Sequence, residues 1–407
     1  MKYVVILGDG MADWEIEELG GKTPLSYADT PTMDALAASS QIGMVKTIPD
    51  GMAPGSDTAN LSVMGYDPKR YYTGRSPLEA LSIGVPMKDT DVVYRCNLVT
   101  LSEEGKPYEE QKMLDHSSDE IGTEDAGILL KTVSDALVEK GYSFYRGTSY
   151  RHCMVWEEGK ICDLTPPHDI LTKTVKEYLP EDEILLKMQK ESYEILKNHP
   201  INLKRKKQGL HPANSFWFWG AGTKPALDSF EKIYNKKGVM ISAVDLLKGI
   251  AAGAEMDRVE VEGATGGLHT NYEGKAEACV KALTEDGYDF AYVHVEAPDE
   301  MGHQGSTEKK IQAIEYLDKR LIRIIKEGLD SSGEEYRMLI LPDHPTPLKV
   351  RTHVAEPVPY LLYDSRKPEN HTWHYNEKEA MESGAPLING WDIMERLFEM
   401  GEKYVNR

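Results

Sequence analysis

Apolar and polar positions along the chain follow two rhythms. Stretches such as "YVVILGDG" (3–10), "FAYVHVEAPDE" (290–300), "YRMLILPDH" (336–344) and "VPYLLYDS" (358–365) are solidly apolar for a few residues, then break off at charge or glycine. Short continuous apolar runs with such ends predict buried strands. Between them, "TPTMDALAASS", "YEGKAEACVKALTEDG" and "KKIQAIEYLDKRLIRIIKEGL" repeat their apolar residues every three or four positions, which predicts amphipathic helices. Strand alternating with helix predicts an α/β fold, a mainly parallel sheet with helices on both faces.

From about Asp91 to about Pro212 the rhythm changes. "RCNLVTL", "YSFYRG" and "HCMVWEEG" alternate, helical pieces are interleaved, and "LTPPHD" marks a proline-rich turn. This predicts an α+β cap inserted into the first sheet. The expected organisation is a core over 1–90, the inserted cap over 91–212 and the rest of the core over 213–407. The basic run "KRKKQ" near the second edge reads as a solvated hinge.

Composition narrows the functional classes. A chain of 407 residues with 40% hydrophobic and 28% charged residues is enzyme-sized and globular. No apolar run approaches the roughly 20 residues that span a bilayer, and the opening "MKYVVILGDG" is too quickly acidic for a secretory signal, so a cytoplasmic protein is expected. The four cysteines, Cys96, Cys153, Cys162 and Cys279, have no CxxC spacing and are expected to be reduced. A formal net charge of -20 argues against nucleic acid or an anionic membrane as partner. A small anionic substrate stays possible where local cations reverse the sign. No phosphate loop and no dinucleotide fingerprint follows the first strand.

The chemistry gathers where strands end, which is where ligands bind in doubly wound sheets. The first strand ends at Asp9. "APDEMGH" brings Asp299 and His303, "PDH" brings Asp343 and His344, and His353 follows in "RTHVAEPVP". Singly, each has a local explanation as cap, turn or surface residue. Together, three carboxylates and three imidazoles are the donor supply that two divalent cations need, with manganese or zinc suited to the mixture. Ser56, between Gly55 and Asp57 at the start of "SDTANLSV", is read in that context. A bound cation and a helix N-terminus both favour its ionised hydroxyl, and the same cations suit a phosphoryl group. The residues point to phosphoryl transfer through a phosphoserine.

Several motifs resemble those of the archaeal-type cofactor-independent phosphoglycerate mutases, in the alkaline phosphatase superfamily. They are "LGDGMAD" (7–13), "TPLSYADTPTMDALA" (23–37), "PGSDTANLSVMGYDP" (54–68), "YYTGRSPLEA" (71–80), "RCNLVT" (95–100), "VEGATGG" (261–267), "APDEMGHQG" (297–305) and "PDHPTP" (342–347), so the likeness runs the length of the chain. It implies an alkaline-phosphatase-like core and two metal sites, Asp9, Ser56, Asp343 and His344 in one, Asp299, His303 and His353 in the other. It also implies that Ser56 is transiently phosphorylated and that an inserted domain donates arginines. Arg95 and Arg151 are candidates in the insert, with Arg75 and Lys224 beside it. Two segments depart from the pattern. "DHSSDEI" (115–121) places Asp119 and Glu120 where such proteins carry arginines, and "FWFWGAGTK" places Trp217 and Trp219 where another cation is usual. A second branch, similar in "TPPHD" and "WFWG", has been proposed to act as homoserine kinases, and Asp119 or Glu120 would suit an ammonium group. The resemblance thus implies interconversion of 3-phosphoglycerate and 2-phosphoglycerate. The alternatives are a homoserine kinase with the same serine and metals or, third, a phosphatase or phosphonate-type hydrolase. The partner is accordingly a small phosphorylated or amino acid substrate.

Overall fold

The computed structural model describes residues 1–103, 105–137 and 141–399, and residues 400–407 of the expected second core segment lie outside them. The chain divides into two compact units, Met1–Tyr72 with Ala226–Arg407, and Thr73–Pro225. In chain order, the first unit supplies β1 (Lys2–Gly8) and β2 (Gln41–Lys46). The second supplies β3 (Val92–Leu101), β4 (Met113–Asp115), β5 (Tyr142–Tyr145), β6 (Arg151–Trp156) and β7 (Ser215–Thr223). The first then resumes with β8 (Gly238–Ile241), β9 (Asp257–Arg258), β10 (Phe290–Val295), β11 (Tyr336–Leu341), β12 (Val358–Asp364) and β13 (Ile388–Asn389).

In the first unit these strands form one sheet in the order β13-β2-β12-β11-β1-β10-β8-β9. Its centre is parallel, with Leu7 opposite both His294 and Leu341. This register brings the carboxyl ends of β1, β10 and β11 to one line. The three apolar runs form central strands because both their faces are covered; from Val4 to Leu7 no side chain is exposed. β12 departs from the expected parallel run. It lies antiparallel to both β11 and β2, so its apolar pattern reports burial and not direction.

The long helical pattern "KKIQAIEYLDKRLIRIIKEGL" resolves into a helix, Thr307–Leu317, a π turn, Asp318–Ile322, and a second helix, Arg323–Ser332. The π turn aims the buried Asp318 carboxylate at another helix. It accepts hydrogen bonds from the amides of Thr32 (3.1 Å) and Met33 (2.7 Å) at the start of Pro31–Ala37, whose own N-cap Thr30 makes no side-chain cap bond. Lys310, on the first of these helices, is fully buried. Its ammonium donates to Asp13 (2.8 Å), the Thr346 carbonyl (2.8 Å) and the Ala12 carbonyl (3.3 Å), tying the segment after β1 to the segment after β11.

The second unit is wider than the 91–212 expected from sequence, because the helix Arg75–Ser82 and all of β7 belong to it. Hydrogen bonds give the reason. The Ser76 hydroxyl donates to the Gly220 carbonyl on β7 and accepts from the Arg95 amide on β3 at 3.1 Å, and Thr73 donates to the Thr223 carbonyl at 2.6 Å. β3 is antiparallel to β6 and β7 on its two edges. It is buried along all ten residues and not on one face only. Val92, Tyr94, Cys96 and Leu98 enter one apolar cluster, and Val93, Val99 and Leu101 enter others on the opposite face. Among the described residues no helix is long and apolar enough to cross a membrane.

Candidate functional site

Three central strands of the first unit deliver side chains to the same neighbourhood from their carboxyl ends. β1 leads into Asp9, β11 into Asp343 and His344, and β10 into the helix Ala297–Gln304, which carries Asp299 and His303 four residues apart on one face. Gly10 allows the close approach. Its φ is 60°, its amide donates to Asp343 Oδ1 at 3.1 Å, and a Cβ there would lie 2.6 Å from Asp299 Oδ1. The His344 amide donates to the same Asp343 oxygen at 2.9 Å, and the Asn60 amide donates to Asp343 Oδ2 at 3.0 Å. Asn60 in turn accepts from the Tyr292 hydroxyl at 2.7 Å.

Ser56 opens the helix Ser56–Val63, whose N-cap is Gly55 and which receives no side-chain cap bond. The hydroxyl is therefore free for other work. Its Oγ lies 3.1 Å from His344 Nε2 and 3.5 Å from Asp9 Oδ2. His344 Nε2 is also 3.6 Å from Asp9 Oδ1 and 3.3 Å from Asp343 Oδ2.

The second cluster is equally tight. His303 Nε2 lies 3.1 Å from Asp299 Oδ2 and 3.0 Å from His353 Nε2, and His353 Nε2 lies 3.4 Å from Asp299 Oδ1. Thr346 links the clusters: its hydroxyl donates to Asp299 Oδ1 at 2.5 Å and lies 3.2 Å from His344 Nδ1. By distance, His344 stands with both groups, for Asp9, Asp343 and His344 converge within 4.8 Å and so do Asp299, His344 and His353. The partition implied by the resemblance places it with Asp9, Ser56 and Asp343.

These donors suit divalent cations. Burial, then the charges of Asp343, Asp299 and Glu296, push the Asp9 carboxyl well above its ordinary range, the signature of negative charge concentrated in a dry space. Asp9 Oδ1 is buried and has no hydrogen-bond partner. Burial lowers His344, which favours the neutral ring that ligates metals. At Asp299 burial opposes the charge, but hydrogen bonds from His303 and His353 outweigh it and hold the carboxyl well below the usual range. The Asp299 hydrogen bond raises His303 to about 9 against the effect of burial.

The second unit holds a cationic cluster of its own. Arg75 Nε and Arg95 Nε reach the two oxygens of Glu79 at 2.8 and 3.0 Å. Burial opposes the Glu79 charge, yet Arg95, Arg75 and Arg151 together keep its carboxyl below the usual range. The Arg95 guanidinium stacks 4.4 Å over Trp219, whose Nε1 donates to Asn97 at 3.2 Å. Trp219 also meets His168, which meets His116. Trp217, by contrast, is a core residue, donating to the Thr165 carbonyl at 2.9 Å. Arg151 is exposed beside Tyr150, and Lys224 pairs with exposed Asp89 at 3.3 Å. Asp119 accepts from the His211 amide at 2.6 Å and faces its Nδ1 at 2.9 Å, while Glu120 is exposed.

The family model described as 2,3-bisphosphoglycerate-independent phosphoglycerate mutase matches residues 37–202. A Methanosarcina barkeri protein of that name is 46% identical over 97% of this chain and 98% of its own. The chain belongs to that family. A Geobacter sulfurreducens relative, a probable enzyme of the same name, is 45% identical over 98% of this chain and all of its own. Among solved structures, a Pyrococcus horikoshii protein matches with TM-score 0.81 and 33% identity over 99% of this chain and 98% of its own. The cofactor-independent phosphoglycerate mutase of Thermoplasma acidophilum matches with TM-score 0.64 and 26% identity over 98% and 99%.

Membership in the family leaves several local residues to be found from this structure. Asn60, Tyr292, His294, Thr346 and Glu79 escaped the sequence analysis. Tyr292 and His294 did leave a trace, as two polar-tipped residues two apart in the apolar run "FAYVHV".

Proposed function

We propose that this protein interconverts 3-phosphoglycerate and 2-phosphoglycerate, without a bisphosphoglycerate cofactor, by transient phosphorylation of Ser56. The observation that carries the reading is the uncapped Ser56 hydroxyl 3.1 Å from His344 Nε2, at a helix N-terminus and beside the Asp9–Asp343 pair. Asp9, Asp343, His344 and Ser56 would hold one divalent ion and Asp299, His303 and His353 the other, manganese or zinc fitting the carboxylate and imidazole donors. When bound, such ions neutralise phosphoryl oxygens and favour an ionised serine hydroxyl.

The residues of the chain then have defined tasks. Ser56 Oγ attacks phosphorus; the bond from phosphorus to the glycerate 3-oxygen breaks, and that oxygen takes the proton the serine gives up. The glycerate 2-hydroxyl attacks the phosphoserine, its proton returning to Ser56 Oγ as the phosphorus–serine bond breaks. The amides at the start of Ser56–Val63 stabilise developing negative charge. Arg75, Arg95 and Arg151 supply the guanidinium groups that a substrate with phosphate and carboxylate requires.

Phosphorus NMR of the metal-loaded protein tests this. With 3-phosphoglycerate alone, the 2-phosphoglycerate resonance should grow to equilibrium without inorganic phosphate. Release of phosphate would make it a hydrolase, and turnover confined to homoserine plus ATP would make it a kinase.

A further inference from the structure

The cation groups contain one carboxylate whose two oxygens are treated unequally. Asp9 Oδ2 lies 2.8 Å from His294 Nε2, whereas Asp9 Oδ1 is buried without a partner. His294 itself is fully buried on β10, on the sheet face opposite Ala291 and Val293. Its Nδ1 lies 3.2 Å from Ser242 Oγ, which accepts the Val244 amide at 3.0 Å.

The Val244 amide donates to the serine oxygen, whose proton can go to His294 Nδ1. With Asp9 ionised, as a cation ligand must be, Nε2 has to be the donor of the bond to Asp9. The ring then carries its own proton on Nε2 and donates it to Asp9. Lys275 donates to the His294 carbonyl at 3.0 Å and anchors the backbone at the same position.

We propose that His294 is a positioning residue for Asp9. By bonding to Oδ2 it fixes the carboxylate rotation, with Oδ1 left unbonded 3.6 Å from His344 Nε2 and Oδ2 also 3.5 Å from Ser56 Oγ, and Ser242 selects the tautomer that can do so. The inference rests on the cation-binding part of the functional reading. It concerns one group only, because Asp299 takes its orienting hydrogen bond from Thr346 and none from His294. An outer hydrogen-bond partner of this kind is commonly worth 10–100-fold in metal affinity.

The test is a manganese titration of the metal-stripped full chain, following free Mn²⁺ by EPR, for the wild type, His294→Leu, His294→Gln and Ser242→Ala. Gln places an amide donor near the position of Nε2. The wild type should show two sites. His294→Leu should weaken one by about 10–100-fold and leave the other unchanged, His294→Gln should restore most of the loss, and Ser242→Ala should fall between. Equal weakening of both sites, no weakening, or a Gln variant no better than Leu overturns the proposal, as does a wild type that binds no cation. If His294→Leu does not fold, Ser242→Ala and His294→Gln decide alone: a selective loss in the first and near-normal affinity in the second support it, and any other pattern overturns it. A wild type that binds two cations yet leaves 3-phosphoglycerate unchanged overturns the mutase reading and leaves the titration result standing.

Discussion

Replacing Lys310 by Met should destabilise the first unit by roughly 3 kcal/mol. Lys310 is completely buried and donates to Asp13, Thr346 and Ala12. Removing one partner of a buried ion pair typically costs about 3–5 kcal/mol, because the other charge stays buried and uncompensated. Here Asp13 keeps hydrogen bonds from the amides of Trp14 (2.7 Å) and Leu348 (3.1 Å), which puts the cost at the lower end. Asp13→Asn with Lys310→Met removes both charges and keeps an acceptor for those amides. It should be more stable than the single variant by about 1 kcal/mol, because no uncompensated buried charge is left behind. Urea unfolding of the metal-free proteins, followed by circular dichroism, measures all of these values. A Lys310→Met midpoint equivalent to less than about 0.5 kcal/mol of loss, within the usual effect of a neutral surface change, would refute the argument. So would a double variant less stable than the single one. Cation affinity should fall as well, since the Thr346 carbonyl bound by Lys310 belongs to the residue whose hydroxyl touches both Asp299 and His344.

Other outcomes follow from single observations. Ser56→Ala should abolish interconversion and leave the unfolding midpoint within about 0.5 kcal/mol, because the hydroxyl caps nothing; residual turnover above about 1% of wild type would speak against a phosphoserine. Elemental analysis of active protein should find two divalent ions per chain, and chelation should stop activity until they are returned. His152, buried and driven down to about 4 by desolvation with Arg146 adding to it, should make stability pH-dependent. The unfolded chain binds a proton near pH 6.5 and the folded one does not, so the contribution is complete above that pH. It declines as pH falls toward 4, by at most about 3 kcal/mol. Urea midpoints from pH 7 to 4.5, compared between wild type and His152→Leu, should show the shallower slope in the variant.

What could be read in advance was set by locality. Asp9, Asp299 and Asp343 announce themselves because each lies within four residues of the end of an apolar run, and the runs of β1, β10 and β11 are long enough to be recognised. β8, with only "GVMI", carries too few residues for a pattern, and β2, though as long as β10, has its apolar run broken by Gly43. His294 could be seen, but its partners Asp9 and Ser242 lie in distant parts of the chain. Asp119 gave the opposite difficulty. Its charge suggested a ligand, while its partner His211 could not be inferred from spacing. The helix Arg75–Ser82 is not assignable to the second unit from sequence, because "TGRSPLEA" has an ordinary helical pattern and nothing in it tells that Ser76 bonds to β3 and β7.

The strand order also says something about time. β1 is made first, yet both of its sheet neighbours come late: Tyr3 pairs with Phe290 and Lys2 with Tyr336. During synthesis the first strand must wait with both edges bare until most of the chain has left the ribosome. The Thr73–Pro225 unit is contiguous and has all its strand partners within its own span. It can therefore mature while β1 is still idle, and nascent chains halted soon after Pro225 should carry a protease-resistant middle and a protease-sensitive beginning. Such long-range pairing is slow and exposes edges to wrong partners. Aggregation of unfinished chains is the hazard that such a strand order carries.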